Sequence, residues 1–133
     1  MNDWIGSDSL AFITLDGLRA RGASLGIVTS KRPESYARDF APFALDGYFD
    51  LHITCADTLL HKPHPEPLLK FLERAGVGPA EALYVGDSVY DRDCARAAGV
   101  DFALAVWGSA RPEMENVTWR LNAPEDLLAI FDT

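Results

Sequence analysis

Residues 82–99, ALYVGDSVYDRDCARAAG, change character near their midpoint. Ala82 to Gly86 is a short apolar run that reads as a buried strand, and Asp91 to Ala98 reads as a helix stopped by Gly99. The same strand-then-helix alternation extends in both directions from this stretch. Upstream, Ser24 to Ser30 (SLGIVTS) is apolar and rich in β-branched residues, and a helix is predicted from Pro33 to Phe40. Leu51 to Cys55 forms a second strand. Glu66 to Ala75 then predicts a helix with Leu68, Leu69, Leu72 and Ala75 on one face and Gly76 as its stop. Downstream, Phe102 to Trp107 and Thr118 to Leu121 read as strands. A closing helix from Pro124 to Phe131 follows, with Pro124 suited to its first turn.

Continuous apolar strands separated by amphipathic helices imply parallel strands covered on both faces, because parallel crossovers place helices there. The predicted class is α/β: a doubly wound, Rossmann-like parallel sheet in three α/β/α layers. The stretch Ser9 to Leu18 (SLAFITLDGL) is ambiguous on its own. A parallel neighbour of SLGIVTS needs a crossover of about a dozen residues, and Gly17 to Ala23 is too short for one. A helix from about Asp8 to Arg21 fits better, with Leu15 and Leu18 facing inward and Gly22 as its stop.

The chain of 133 residues suits one domain, residues 1–133, and its composition of 48% hydrophobic and 24% charged residues is that of a globular protein. Twelve basic against twenty acidic side chains give a net charge of -8, which opposes attraction to nucleic acid. No stretch approaches the roughly 20 apolar residues of a membrane span, and the expected location is the cytoplasm. Cys55 and Cys94 form no disulfide framework and are expected to be buried, reduced thiols. Trp107 and Trp119 are expected in or beside the core.

Three polar groups fall at the predicted carboxyl ends of strands: Thr29 with Ser30, Lys62, and Gly86-Asp87 with Asp91. Open α/β sheets bind ligands along that edge. Asp87 and Asp91 could be brought by a turn to one hard cation such as Mg2+. The same pair also suits a strand-end turn with Asp91 at a helix start. Lys62 sits among Pro63, Pro65 and Pro67, which stiffen its backbone, although most lysines are simply solvated. Thr29 could donate to a phosphoryl oxygen or cap a helix. His52, His61 and His64 lack a clear third ligand for a metal, and Arg92 and Asp93 read as solvated helix residues.

Together GIVTSK (26–31), HKPHPEPLLKFL (61–72) and LYVGDSVYDRDCARAAGV (83–100) resemble the second, third and fourth motifs of the haloacid dehalogenase superfamily, especially its phosphoglycolate-phosphatase-like members. The match runs from about Leu15 to Phe131. The resemblance implies a Mg2+-dependent phosphatase, a hydrolase of a small phosphorylated metabolite. It implies that Thr29 and Lys62 are catalytic and that both bind phosphate with Ser30. It also implies that Asp87 and Asp91 form the metal site, with Asp91 supporting Asp87. In that family an aspartate attacks phosphorus to give an aspartyl-phosphate. The attacking residue belongs to a first motif, Asp-x-Asp-Gly-Thr, which this chain lacks. Thr14-Leu15-Asp16-Gly17 is its nearest imitation, with threonine in the nucleophile's place, and it falls on the predicted N-terminal helix.

No nucleophile is therefore assigned, and neither is a cap domain. The family's first-motif strand lies centrally, between those of the second and fourth motifs, so its loss is expected to leave two buried strands unpaired. The gap could close, recruit a strand from another chain in a homodimer, or be completed by a missing N-terminal segment. The last fits an incomplete chain that is inactive alone. A non-catalytic phosphate- and metal-binding interaction module is the alternative. A receiver domain fits poorly, because receivers place their acidic residues first and their lysine last.

Overall fold

The computed structural model describes residues 4–7, 20, 22, 24–29, 32–40 and 50–131. They form β1 (Trp4–Ser7), β2 (Ser24–Val28), α1 (Pro33–Phe40), β3 (Leu51–Ile53) and α2 (Glu66–Ala75), then β4 (Ala82–Gly86), α3 (Val89–Ala98), β5 (Asp101–Ala105), β6 (Trp119–Leu121) and α4 (Asp126–Phe131). Short 3-10 turns at Pro79–Glu81 and Val106–Gly108 precede β4 and follow β5.

The six strands form one sheet in the order β3-β2-β1-β4-β5-β6, and all five pairings are parallel. The chain winds outward from β1 to β3, then returns to lay β4 on the other side of β1. Strand order reverses between β1 and β4, and the crevice at the carboxyl ends there is where such sheets bind ligands. The doubly wound parallel α/β class is the one expected from the sequence.

The expected vacancy in the middle of the sheet is corrected by β1. Trp4, Ile5 and Gly6 stand opposite Ser24, Leu25 and Gly26 of β2, and Trp4 to Ser7 stand opposite Ala82 to Val85 of β4. The chain's own N-terminal stretch thus closes the gap, and β2 and β4 both have a partner. Four residues containing a glycine and a serine carry no alternation to mark a strand, so β1 was not expected.

Successive residues of a strand point to opposite faces, and the core divides accordingly. Tyr84, Phe102 and Leu104 join Leu68, Phe71 and Leu72 of α2 and Cys94, Ala95 and Ala98 of α3 on one face. Leu83, Val85, Ala103 and Ala105 join Leu127 of α4 on the other. A side chain at Gly26 would lie 2.1 Å from the Phe71 ring, so glycine is what lets α2 seat this ring on β2.

The predicted face of α2 is corrected at one position: Phe71 is buried and Leu69 is exposed. Gly76 and Gly99, with φ of 71° and 77°, terminate α2 and α3 as expected. Val89 and Tyr90 extend α3 beyond its predicted start, because Ser88 caps it; its Oγ accepts from the Asp91 amide at 3.2 Å. Trp107 and Trp119, 39% and 42% exposed, are not within the core itself. Of the two free cysteines Cys94 is buried and Cys55 half-buried. The helix predicted from Asp8 to Arg21 lies outside the described residues except at Ala20, which is helical; Gly22 has the positive φ of 82° that suits a stop.

Candidate active site

Thr29 follows β2 directly, is buried, and donates its amide to the Ile53 carbonyl at 2.9 Å, which ties it to the end of β3. Ser30 and Asp16 lie outside the described residues.

The loop from β3 to α2 carries Lys62 and is fastened at both ends. Asp57 accepts from the Thr54 amide at 2.7 Å and from Arg74 of α2 at 2.9 Å. Glu66, in the first turn of α2, accepts from the Leu59 amide at 2.7 Å. Burial opposes ionisation of Asp57, but the Thr54 amide and Arg74 outweigh it and hold the carboxyl below its ordinary value.

From this loop Lys62 reaches inward. Its Nζ donates to Asp91 Oδ1 and to the Tyr84 hydroxyl, each at 2.8 Å, and only about a tenth of the lysine side chain remains exposed. The solvated-lysine alternative does not describe this residue.

Asp91 is one of three buried polar residues among those described. Its Oδ2 accepts from the amides of Asp87 and Ser88 at 3.1 and 3.2 Å, while Oδ1 faces Lys62 and Tyr84. A reciprocal capping box at the start of α3 thus also shapes the turn that presents Asp87. Burial favours the protonated acid, but Lys62, the Asp87 amide and the Ser88 side chain hold the Asp91 carboxyl below the usual range. Gly86 is needed here for space. A Cβ at that position would fall 2.6 Å from the Asp91 side chain.

Asp87 points elsewhere. Its Oδ2 would lie 2.8 Å from a Cβ at Gly108, and the residue lines a cleft of about 240 Å³ with Ser88, Ser109, Arg111 and Met114. The two carboxylates taken together from the sequence therefore occupy different settings. Asp87 borders open space, and Asp91 stands behind it with both oxygens engaged.

Among the described residues no three His, Cys, Asp or Glu side chains cluster as a metal cage. Mg2+ needs no such cage, since it commonly takes one or two carboxylates and completes its shell with water and phosphate. Asp87 fits that demand, with Asp91 orienting it. Of the histidines, His61 and His64 are exposed, and His64 Nδ1 accepts from the Glu66 amide at 3.1 Å. Burial pushes the Cys94 thiol up to about 11, which leaves it inert as a nucleophile.

Tyr84 is the site residue that sequence reasoning missed, having read it only as part of an apolar strand. The available signal was a phenol in a fully buried run, since a buried hydroxyl needs a partner. Nothing in the sequence pointed to the Gly108–Met114 wall of the cleft.

The family model for haloacid dehalogenase-like hydrolases matches residues 11–105. The chain is 38% identical over 120 residues to a phosphoglycolate phosphatase of Aquifex aeolicus, covering 90% of this chain and 56% of that protein. It is 46% identical over 90 residues to a putative pyrophosphatase PpaX of Caldanaerobacter subterraneus, covering 68% of this chain and 41% of that one. A crystal structure of a Lactobacillus plantarum protein described as a phosphoglycolate phosphatase superposes with a TM-score of 0.78 at 39% identity, over 83% of this chain and 54% of that one. The chain thus spans about half the length of the curated relatives it matches. With more than half of its length in the family model and the motif residues on successive strand ends, the chain belongs to the haloacid dehalogenase-like hydrolase family.

Proposed function

We propose that this chain supplies the phosphate- and Mg2+-binding side of a phosphomonoester hydrolase acting on a small cytoplasmic metabolite. The observation that carries the reading is the ion pair between Lys62 and Asp91. It ties the loop after β3 to the turn after β4 that presents Asp87, and Tyr84, which accepts from the same lysine, lies 3.3 Å from the Val28 carbonyl just before Thr29. Thr29 donates to a phosphoryl oxygen, with Ser30 beside it in the chain, and Lys62 offsets its charge. Asp87 holds Mg2+, and Asp91 steadies Asp87 through its amide. When bound, Mg2+ supplies further charge neutralisation at the phosphoryl group. Phosphoglycolate and pyrophosphate, the substrates named for the relatives, are the first compounds to try.

No Asp-x-Asp-Gly-Thr motif is present, so we infer that the chain binds phosphate without turning it over unless another segment or a second copy supplies the nucleophile. A non-catalytic binding module is the reading that this same absence favours as an alternative.

The test is titration calorimetry of inorganic phosphate and orthovanadate with and without Mg2+, beside hydrolysis of p-nitrophenyl phosphate. Binding that requires Mg2+ and is lost in Asp87→Ala supports the site; no binding overturns it. Hydrolysis by the unaltered chain, lost in Asp87→Ala, overturns the inactive reading and means that a carboxylate of this chain attacks. Asp8 is the next residue after β1 in the chain, and Asp16 lies in the near-motif, so Asp8→Asn and Asp16→Asn would then identify it.

A further inference from the structure

We propose that Tyr84 is a positioning residue for Lys62, fixing the direction in which the ammonium offers its last N–H to a phosphoryl oxygen. This rests on the reading of Thr29, Lys62 and Asp87 as a phosphate site.

An ammonium has three donors and no acceptor. Two of those on Lys62 are taken, one by the Tyr84 hydroxyl and one by Asp91 Oδ1, each at 2.8 Å. One remains. With the hydroxyl at 2.8 Å and the ring centroid at 5.5 Å, the ammonium approaches Tyr84 from its hydroxyl end rather than over the ring face. The contact therefore belongs to the oxygen.

Because that oxygen accepts from Lys62, its own proton points onward. Acceptors within its reach include the Val28 carbonyl at 3.3 Å and Asp91 Oδ1 at 3.2 Å. Val28 closes β2, and its carbonyl belongs to the peptide that carries the amide of Thr29. One hydroxyl therefore joins the loop bearing Lys62, the strand leading to Thr29 and the helix bearing Asp91. Burying a hydroxyl is costly without such partners, and Tyr84 is only 1% exposed. Packing does not require it, because a phenylalanine would keep the ring against Phe102, whose centroid lies 6.2 Å away.

The experiment compares Tyr84→Phe with the unaltered chain and with Val100→Ala, a change in the same core outside this hydrogen-bond network. One readout is the Mg2+-dependent affinity for orthovanadate. The other is the ¹⁵N resonance of the Lys62 ammonium in lysine-labelled protein, identified by its loss in Lys62→Met. The unaltered chain should show a protected Lys62 resonance. Tyr84→Phe should lose that protection and weaken vanadate about tenfold, the scale of one hydrogen bond. Val100→Ala should change neither.

A Tyr84→Phe protein with an unchanged Lys62 resonance overturns the proposal, whatever its affinity, because the hydroxyl then does not act through Lys62. An unprotected resonance in the unaltered chain overturns it without any variant. If the unaltered chain binds no vanadate, the phosphate reading fails instead, and the resonance alone decides whether Tyr84 holds the ammonium.

Discussion

β1 and β4 lie side by side in the sheet, β4 within the stretch that matches the family model and β1 ahead of it. At the end of β4 the side chains do much of the work. Asp91 accepts from two backbone amides, from Lys62 and from Tyr84, and Gly86 leaves the space this needs. β1 has backbone ladders to β2 on one side and to β4 on the other. The family model matches residues 11–105 and so includes β4 but not β1. The residues of the family chemistry thus follow β4, while β1 completes the sheet between β2 and β4. A phosphate site needs particular side chains. Fold and chemistry are separable here, strand by strand.

Breaking the β4 side should cost the most. Asp91→Ala leaves the Lys62 ammonium largely buried and without its counter-ion, and the expected loss is about 3 to 5 kcal/mol in urea unfolding. The double variant with Lys62→Met should recover part of that loss, since no uncompensated charge then remains. If the single variant costs no more than a surface substitution, the pair is not buried as described and the contrast with β1 disappears.

The β1 side is tested through the backbone. Gly6 pairs with Gly26 and Tyr84, and proline at position 6 removes an amide from the middle of the sheet. The expected cost is of the order that proline exacts inside a helix, about 3 kcal/mol. Proline in place of exposed Ala110, outside any strand or helix and preceded by the extended Ser109, serves as the control. A silent Gly6→Pro would mean that β1 does not hold the centre, and the sheet would again need a strand from elsewhere.

The same contrast explains what could be read in the sequence. ALYVG and SLGIVTS announced themselves because fully buried strands are apolar runs, and Gly76 and Gly99 because helix ends favour glycine. Thr29, Lys62, Asp87 and Asp91 were legible as candidates because strand order alone places them on one edge. WIGS was not legible, since four residues with a glycine and a serine show no alternation, and its strand is marked by the two edges it pairs with. The separate settings of Asp87 and Asp91 were equally hidden. Spacing brings two carboxylates to one turn, but only the Ser88 cap and Lys62 turn Asp91 inward. Leu69 and Phe71 exchanged places because helical periodicity marks an apolar stripe without fixing its centre, and Gly26 draws the Phe71 ring to the sheet.

The smallest expected effect concerns the loop that holds Lys62 rather than the lysine itself. Asp57 has a folded-state pKa below its ordinary value of 3.8, with the Thr54 amide and Arg74 outweighing its burial. A depressed carboxylate pKa contributes stability above the ordinary value, and that contribution is lost as pH falls through the folded one. Asp57→Asn should therefore be less stable than the unaltered chain at neutral pH, with the gap narrowing below pH 3.8. Arg74 and Asp57 are both partly exposed, so their ion pair is expected to contribute less than about 1 kcal/mol. Urea midpoints measured from pH 7 to pH 3 would resolve it. No gap at any pH would assign the hold to the Thr54 turn alone, since an asparagine oxygen can still accept from that amide but carries no charge for Arg74. The loop would then be held by its turn geometry, and the charge-held region would shrink to Lys62, Tyr84 and Asp91.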